Sequence, residues 1–153
     1  MKTYIAVVAI VALLIVTPFR GSDIAKLAPV EVVWLAEEEG QVLLVTDTDD
    51  IGRGADVMEA LSDMRATSTG TIFLDTADYL IVESGAEKFL EQVAVVLRPS
   101  CMLCRAGQMP NLKEAAGFFS VHQWDVTLRQ WQNERRELPL FIEEERRFTW
   151  DEP

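Results

Sequence analysis

Apolar and polar positions along the chain fall into short runs, each closed by glycine, proline or a cluster of acids. Val30-Glu-Val-Val-Trp-Leu-Ala36 and Gln41-Val-Leu-Leu-Val-Thr46 are rich in β-branched residues, with Glu37-Glu-Glu-Gly40 between them. This predicts a hairpin in which Gly40 supplies the positive φ of the turn. The polar stretch Asp47–Gly54 reads as a loop. From Ala55 to Arg65 the period changes, and Val57, Leu61 and Met64 recur at i, i+4 and i+7, one face of a helix. Strand-like runs return at Thr71–Leu74 and Tyr79–Val82, separated by Asp75-Thr-Ala-Asp78.

Ser84-Gly-Ala-Glu87 has the spacing of a capping box, in which serine and glutamate satisfy each other's free backbone N–H groups. It predicts a helix to Leu97, with Phe89, Val93, Val96 and Leu97 inward and Pro99 as the stop. Asn111 is a candidate cap for a helix to about Phe119. Asp125 is a candidate cap for another to about Arg136, which would set Trp124, Leu128 and Trp131 on one face. Leu140–Ile142 and Arg147–Trp150 predict a closing hairpin around Glu143-Glu-Glu145. Strands alternate with helices, so the expected class is α/β or α+β. The expected order is ββαβα, then helices and a terminal hairpin, with the helices packed on a small mixed sheet.

The N-terminus follows a different pattern. Lys2 precedes an uncharged run, Tyr4–Thr17, which Pro18 and then Arg20-Gly21-Ser22 close. A positive tip, a short apolar stretch and a helix breaker are the marks of an export signal. Fourteen residues of helix, Tyr4–Thr17, span about 21 Å, less than the ~30 Å of a hydrocarbon core. Extension to Phe19 with snorkelling flanks brings the run close to spanning length, and Arg20 spoils a small-x-small cleavage site. Residues 1–22 are therefore read as a cleaved signal or an uncleaved membrane anchor, with a buried core element as the bland alternative. Residues 23–153 are read as one acidic extracytoplasmic domain.

Charge narrows the choice of partner. The net charge is −11, and removing residues 1–26 takes away three cations and one acid, which leaves about −13. So acidic a surface repels phosphate backbones, so nucleic acid is excluded as a partner. It also disfavours docking on anionic lipid, so membrane attachment is assigned to the N-terminal segment.

Few residues offer chemistry. Cys101-Met-Leu-Cys104 is the most specific short motif. It reads as a structural or idle pair, a local disulfide, a thiol–disulfide exchange site if placed at a helix start, or half of a metal site. His122, the single histidine, could pair with either thiol, although a lone histidine between Val121 and Trp124 reads more simply as a packing or surface residue. Asp47-Thr-Asp-Asp-Ile-Gly52 begins like a calcium loop, but position 5 is Ile51 and position 12 is Met58. Glu37–Glu39 and Glu143–Glu145 read as solvated turns. There is no Gly-x-Ser-x-Gly elbow and no Gly-x-x-x-x-Gly-Lys loop, and the sequence implies no cofactor. Among the tryptophans, Trp131 and Trp150 are the candidate partner surface.

Gly54-Ala-Asp-Val-Met-Glu-Ala-Leu-Ser-Asp-Met64, Ile72-Phe-Leu74 and Tyr79-Leu-Ile-Val-Glu-Ser-Gly-Ala-Glu87 resemble the N-terminal domain of spore-germination lipoproteins, the C subunits of germinant receptors. The likeness is one of pattern and runs from Pro29 to Cys104. In that family a hairpin leads into a glycine-flagged helix ending in Ala-Leu, here Ala60-Leu61, then an apolar strand and a further helix. The chain departs from the family in having no lipidation cysteine after the leader, and it lacks the family's further domains. The resemblance implies a non-enzymatic, membrane-attached, extracytoplasmic protein acting by association in sporulation or germination. The leading expectation is thus a protein partner met at the outer face of the membrane. The alternatives are an extracytoplasmic thiol–disulfide oxidoreductase using Cys101 and Cys104, or a small solute- or metal-binding protein.

Overall fold

The computed structural model describes residues 27–122, 124–144 and 147–151. The reading of residues 1–22 as a signal or anchor lies outside them. Strands β2 (Val32–Glu38), β6 (Tyr79–Glu83), β7 (Met102–Ala106) and β8 (Leu140–Glu144) lie side by side and parallel. Antiparallel strands extend this centre on both sides. β3 (Gln41–Thr46) and β4 (Ile51–Gly54) follow β2, and β9 (Arg147–Asp151) follows β8. The result is a seven-stranded mixed sheet in the order β4-β3-β2-β6-β7-β8-β9. A separate two-stranded parallel ladder joins β1 (Leu27–Pro29) to β5 (Thr71–Phe73). Helices α1 (Val57–Thr67), α2 (Leu90–Val93), α3 (Leu112–Val121) and α4 (Leu128–Glu134) pack on the sheet, an α+β architecture as expected.

Two hydrophobic cores form because parallel central strands are covered on both faces, and their side chains alternate between the two. Val33 and Leu35 of β2, Leu80 and Val82 of β6, and Leu103 of β7 enter the first core with α1, α2 and Leu128 of α4. Val32, Trp34, Ala36, Ile81, Cys104 and Ala106 enter the second, against Ala115, Ala116 and Phe119 of α3. Runs buried on both faces lose the apolar–polar alternation, which is why Val32–Ala36 and Leu80–Val82 read as unbroken hydrophobic stretches.

Local chemistry accounts for the element ends. Glu39 and Gly40 both take positive φ, 52° and 79°, the geometry of a hairpin turn whose twist matches its strands. Asp56 caps α1 by accepting the Glu59 N–H at 2.8 Å, and the Glu59 carboxylate accepts the Ala55 N–H in return. Asn111 caps α3 as expected, accepting from the Glu114 N–H.

Four expectations are corrected. The second half of the expected loop Asp47–Gly54 is β4, whose Gly52 and Gly54 let α1 lie directly on the strand. The Ser84–Glu87 box is not formed. Glu87 accepts from Gly85 at 2.7 Å and a 3-10 turn, Glu87–Phe89, precedes a helix that ends at Val93. The last helix is capped by Thr127 rather than Asp125, through a reciprocal box with Gln130. Trp124 then lies with the second core while Leu128 and Trp131 lie with the first, so the three do not share a face.

Candidate functional site

Cys101 and Cys104 are placed where neither can act on the other. β7 is a central strand, and a separation of three along extended backbone sends side chains to opposite faces. Cys101 lies in the first core and Cys104 in the second, both with no exposed surface and both free thiols. The expected local disulfide or exchange pair is not brought together here: Cys104 sits in β7 and Cys101 just before it, not at a helix start, and the two belong to different cores. Burial pushes the Cys101 thiol up to about 12, with Arg98 partly opposing, and holds Cys104 well above the ordinary thiol range. A thiol held protonated and away from solvent is a poor nucleophile. Both cysteines instead serve as small hydrophobes in a strand covered on both sides.

His122 ends α3 in an exposed position with its ring 4.4 Å from Phe118. Among the described residues, neither thiol is hydrogen-bonded to it; Cys101 Sγ approaches only the Met102 carbonyl, at 3.9 Å. The acidic loop is held by its own chain. Asp47 Oδ1 accepts the backbone N–H groups of Glu31 and Val32, and Asp50 Oδ2 accepts the Thr48 hydroxyl at 2.8 Å. Among the described residues, no group of three or more histidines, cysteines or acids is arranged to hold a metal ion. Nor is any helix among them long and apolar enough to cross a membrane.

A cleft of about 380 Å³ opens where β7 ends beside β8, lined by Ala106, Gly107, Gln108, Pro110, Phe141 and Glu143 among others. Glu143 is already engaged, accepting the Asn111 N–H at 2.9 Å at the entry to α3. The cleft thus offers shape without a set of converging polar groups.

The two candidate tryptophans part company. Trp131 packs half-buried against the first core, and the Arg135 guanidinium lies over its ring at 4.5 Å, itself paired with Glu91. Trp150 lies on β9 against the second core, so the two residues belong to opposite faces of the sheet and make no common surface. Around Trp150 an aromatic cluster assembles from distant segments. Trp124 is 4.4 Å away between ring centroids, Phe141 5.2 Å and Phe119 5.6 Å. Its indole N–H is buried without a hydrogen-bond partner, an arrangement that costs about 1–3 kcal/mol.

The sheet's two outer edges differ. On β4, the Arg53 N–H is met by Asp63 Oδ2 at 3.0 Å, and α1 covers the strand. One donor of that edge is thus capped by the next helix. On β9 no strand or helix among the described residues pairs with the outer side, and Thr149 and Asp151 are exposed. An uncovered edge is a template for another strand, and natural proteins usually blunt it unless it is used. An exposed sheet edge is one of the partner surfaces the sequence suggests, and which strand lies outermost is set by the strand order.

No family model matches the chain, and no curated protein or solved structure does either.

Proposed function

We propose that the chain is a non-enzymatic, exported or membrane-anchored protein whose folded domain acts by protein association at the outer face of the membrane, through the outer edge of β9. The observation that carries this reading is the unequal treatment of the two sheet edges. One N–H of β4 is capped by Asp63 and α1 packs on that strand, whereas no strand or helix among the described residues pairs with the outer side of β9, beside the aromatic cluster that holds Trp150. An edge strand offers a partner a row of backbone donors and acceptors, and the aromatic side chains beside it add apolar area. The leader Tyr4–Thr17 supports placement at the membrane. The resemblance to germinant-receptor C subunits suggests sporulation or germination as the setting.

The test combines fractionation with one edge variant. Full-length protein is expected with the membranes, enriched in spores over growing cells, and recovered in a complex. Thr149→Pro, which removes a backbone N–H from the outermost strand at an exposed position, is expected to lose that complex while the melting temperature is kept. Equal recovery of the complex with Thr149→Pro would remove β9 as the site of association.

A further inference from the structure

Resting on that reading, we propose that the occupant of the β9 edge is β9 of a second copy of this chain, paired antiparallel about a two-fold axis at Thr149. A two-fold interface must be complementary to itself: a residue off the axis meets a different residue that returns the contact, and one on the axis meets its own copy. The sequence of β9, Arg147-Phe-Thr-Trp-Asp151, meets that condition in one orientation. With Thr149 opposite the second copy's Thr149, Arg147 stands in register with Asp151 and Phe148 with Trp150, and each pairing occurs twice. A parallel, in-register pairing would set arginine against arginine and aspartate against aspartate.

Charge favours this strand as well. The chain carries −11, so two copies repel over most of their surfaces, yet β9 holds one cation and one acid and is neutral by itself. Opposite-charge and aromatic–aromatic cross-strand pairs are the favourable units of antiparallel pairing. Phe148 and Trp150 both belong to the second core's face, where Phe148 lies 5.3 Å from Phe141 and Trp150 5.2 Å from it. Pairing about Thr149 brings the two copies' aromatic clusters side by side on one face of a continuous fourteen-stranded sheet, twice the seven of one copy.

The experiment uses the full chain in detergent micelles. Thr149→Cys is expected to give a disulfide-linked dimer under mild oxidation. Cys101 and Cys104, both buried, provide no background, and Thr69→Cys at an exposed site far along the chain serves as the control. By sedimentation, Asp151→Arg and Arg147→Asp are each expected to weaken the dimer about tenfold, as two attractive cross-strand charge pairs become repulsive. An equimolar mixture of the two variants is expected to recover a heterodimer, because each strand then carries only one sign of charge. Asp151→Arg, at an exposed position, keeps the proposal falsifiable if Thr149→Cys folds poorly.

A wild-type chain that stays monomeric, or a dimer that ignores both charge reversals and the Thr149 position, would overturn the proposal. If Thr149→Pro abolishes capture of a different protein while no self-cross-link forms, the second copy is refuted and association through β9 stands. If Thr149→Pro changes nothing and no cross-link forms, both readings fall.

Discussion

Cys101 and Cys104 are three residues apart in sequence, and their thiols lie in separate hydrophobic cores on opposite faces of the sheet. Each packs in a hydrophobic core and neither lies at a helix N-terminus, so burial outweighs the one nearby cation, Arg98 beside Cys101. The relationship removes the geometry of a disulfide, which needs Cβ atoms about 3.5–4.5 Å apart and pointing at each other. It also makes the pair a sensitive reporter of sheet integrity.

Native protein is expected to show no reaction with Ellman's reagent at pH 8, and two thiols per chain after denaturation. One or two thiols reacting rapidly in the native state would contradict the burial of β7.

The same burial sets a pH dependence. The folded-state value of Cys101 lies near 12 against an ordinary value of 9.0, and Cys104 is raised as well, so both thiols stay protonated longer in the folded chain than in the unfolded one. Their contribution to stability is fully present below about pH 9 and is lost as pH rises towards the folded values. Thermal melts from pH 7 to 11 are expected to fall above pH 9, and to fall less steeply in a Cys101→Ala/Cys104→Ala variant. Identical slopes would show that the thiols are not the groups responsible.

The contact between β4 and α1 depends on two glycines. A Cβ on Gly52 would meet the Ala60 carbonyl and lie 2.7 Å from the Met64 Cβ; one on Gly54 would lie 2.5 Å from the Glu59 Cβ. Backbone cannot yield as a side-chain tip can, so Gly52→Ala is expected to cost about 3 kcal/mol, the upper end for overpacking. Gly40→Ala meets no neighbour and is opposed only by its φ of 79°, so about 1 kcal/mol is expected. Urea unfolding of the two variants separates the effects.

Phe119 sits at the centre of the aromatic cluster, fully buried, with Tyr79 at 5.1 Å, Trp124 at 4.8 Å and Phe141 at 4.8 Å. Phe119→Ala is expected to lose about 3–5 kcal/mol through the cavity it leaves. The fluorescence of the nearby tryptophans should change with it, and an unaltered emission spectrum would argue against the packing of α3 on this face.

Capping offers a direct choice between two residues. Thr127 accepts the Gln130 N–H at 3.3 Å, while the Gln130 side chain accepts the Thr127 N–H at 2.8 Å. Thr127→Ala is expected to cost about 1 kcal/mol, and Asp125→Ala, at an exposed residue outside the cap, less than about 0.5 kcal/mol. The reverse order in chemical denaturation would restore Asp125 as the start of α4.

Much of the architecture is determined locally and was legible in the sequence. The hairpin of β2 and β3 follows from two β-rich runs around Glu39-Gly40, and α1 from the spacing of Val57, Leu61 and Met64, all three buried. The cap at Asn111 and the closing hairpin of β8 and β9 likewise follow from signals within a few residues. These features are fixed by turn φ values, side-chain caps and period, each of which acts between near neighbours.

Tertiary structure decided the rest, because it turns on which distant segments become neighbours. Met102–Ala106 is too short and too mixed in character to announce a strand; it becomes one by lying between β6 and β8, each with a ladder of its own to offer. That placement converts a cysteine motif into core packing. Ser84 and Glu87 carry a capping-box spacing, yet the chain leaving β6 sends the Ser84 N–H to the Ala106 carbonyl, so the local option is outcompeted. Trp131 and Trp150 read alike in sequence, and only the sheet sets one against the first core and the other against the second. The outer position of β9 is of the same kind: a strand's residues determine that it pairs, and its place in the strand order determines which side has no partner among the described residues.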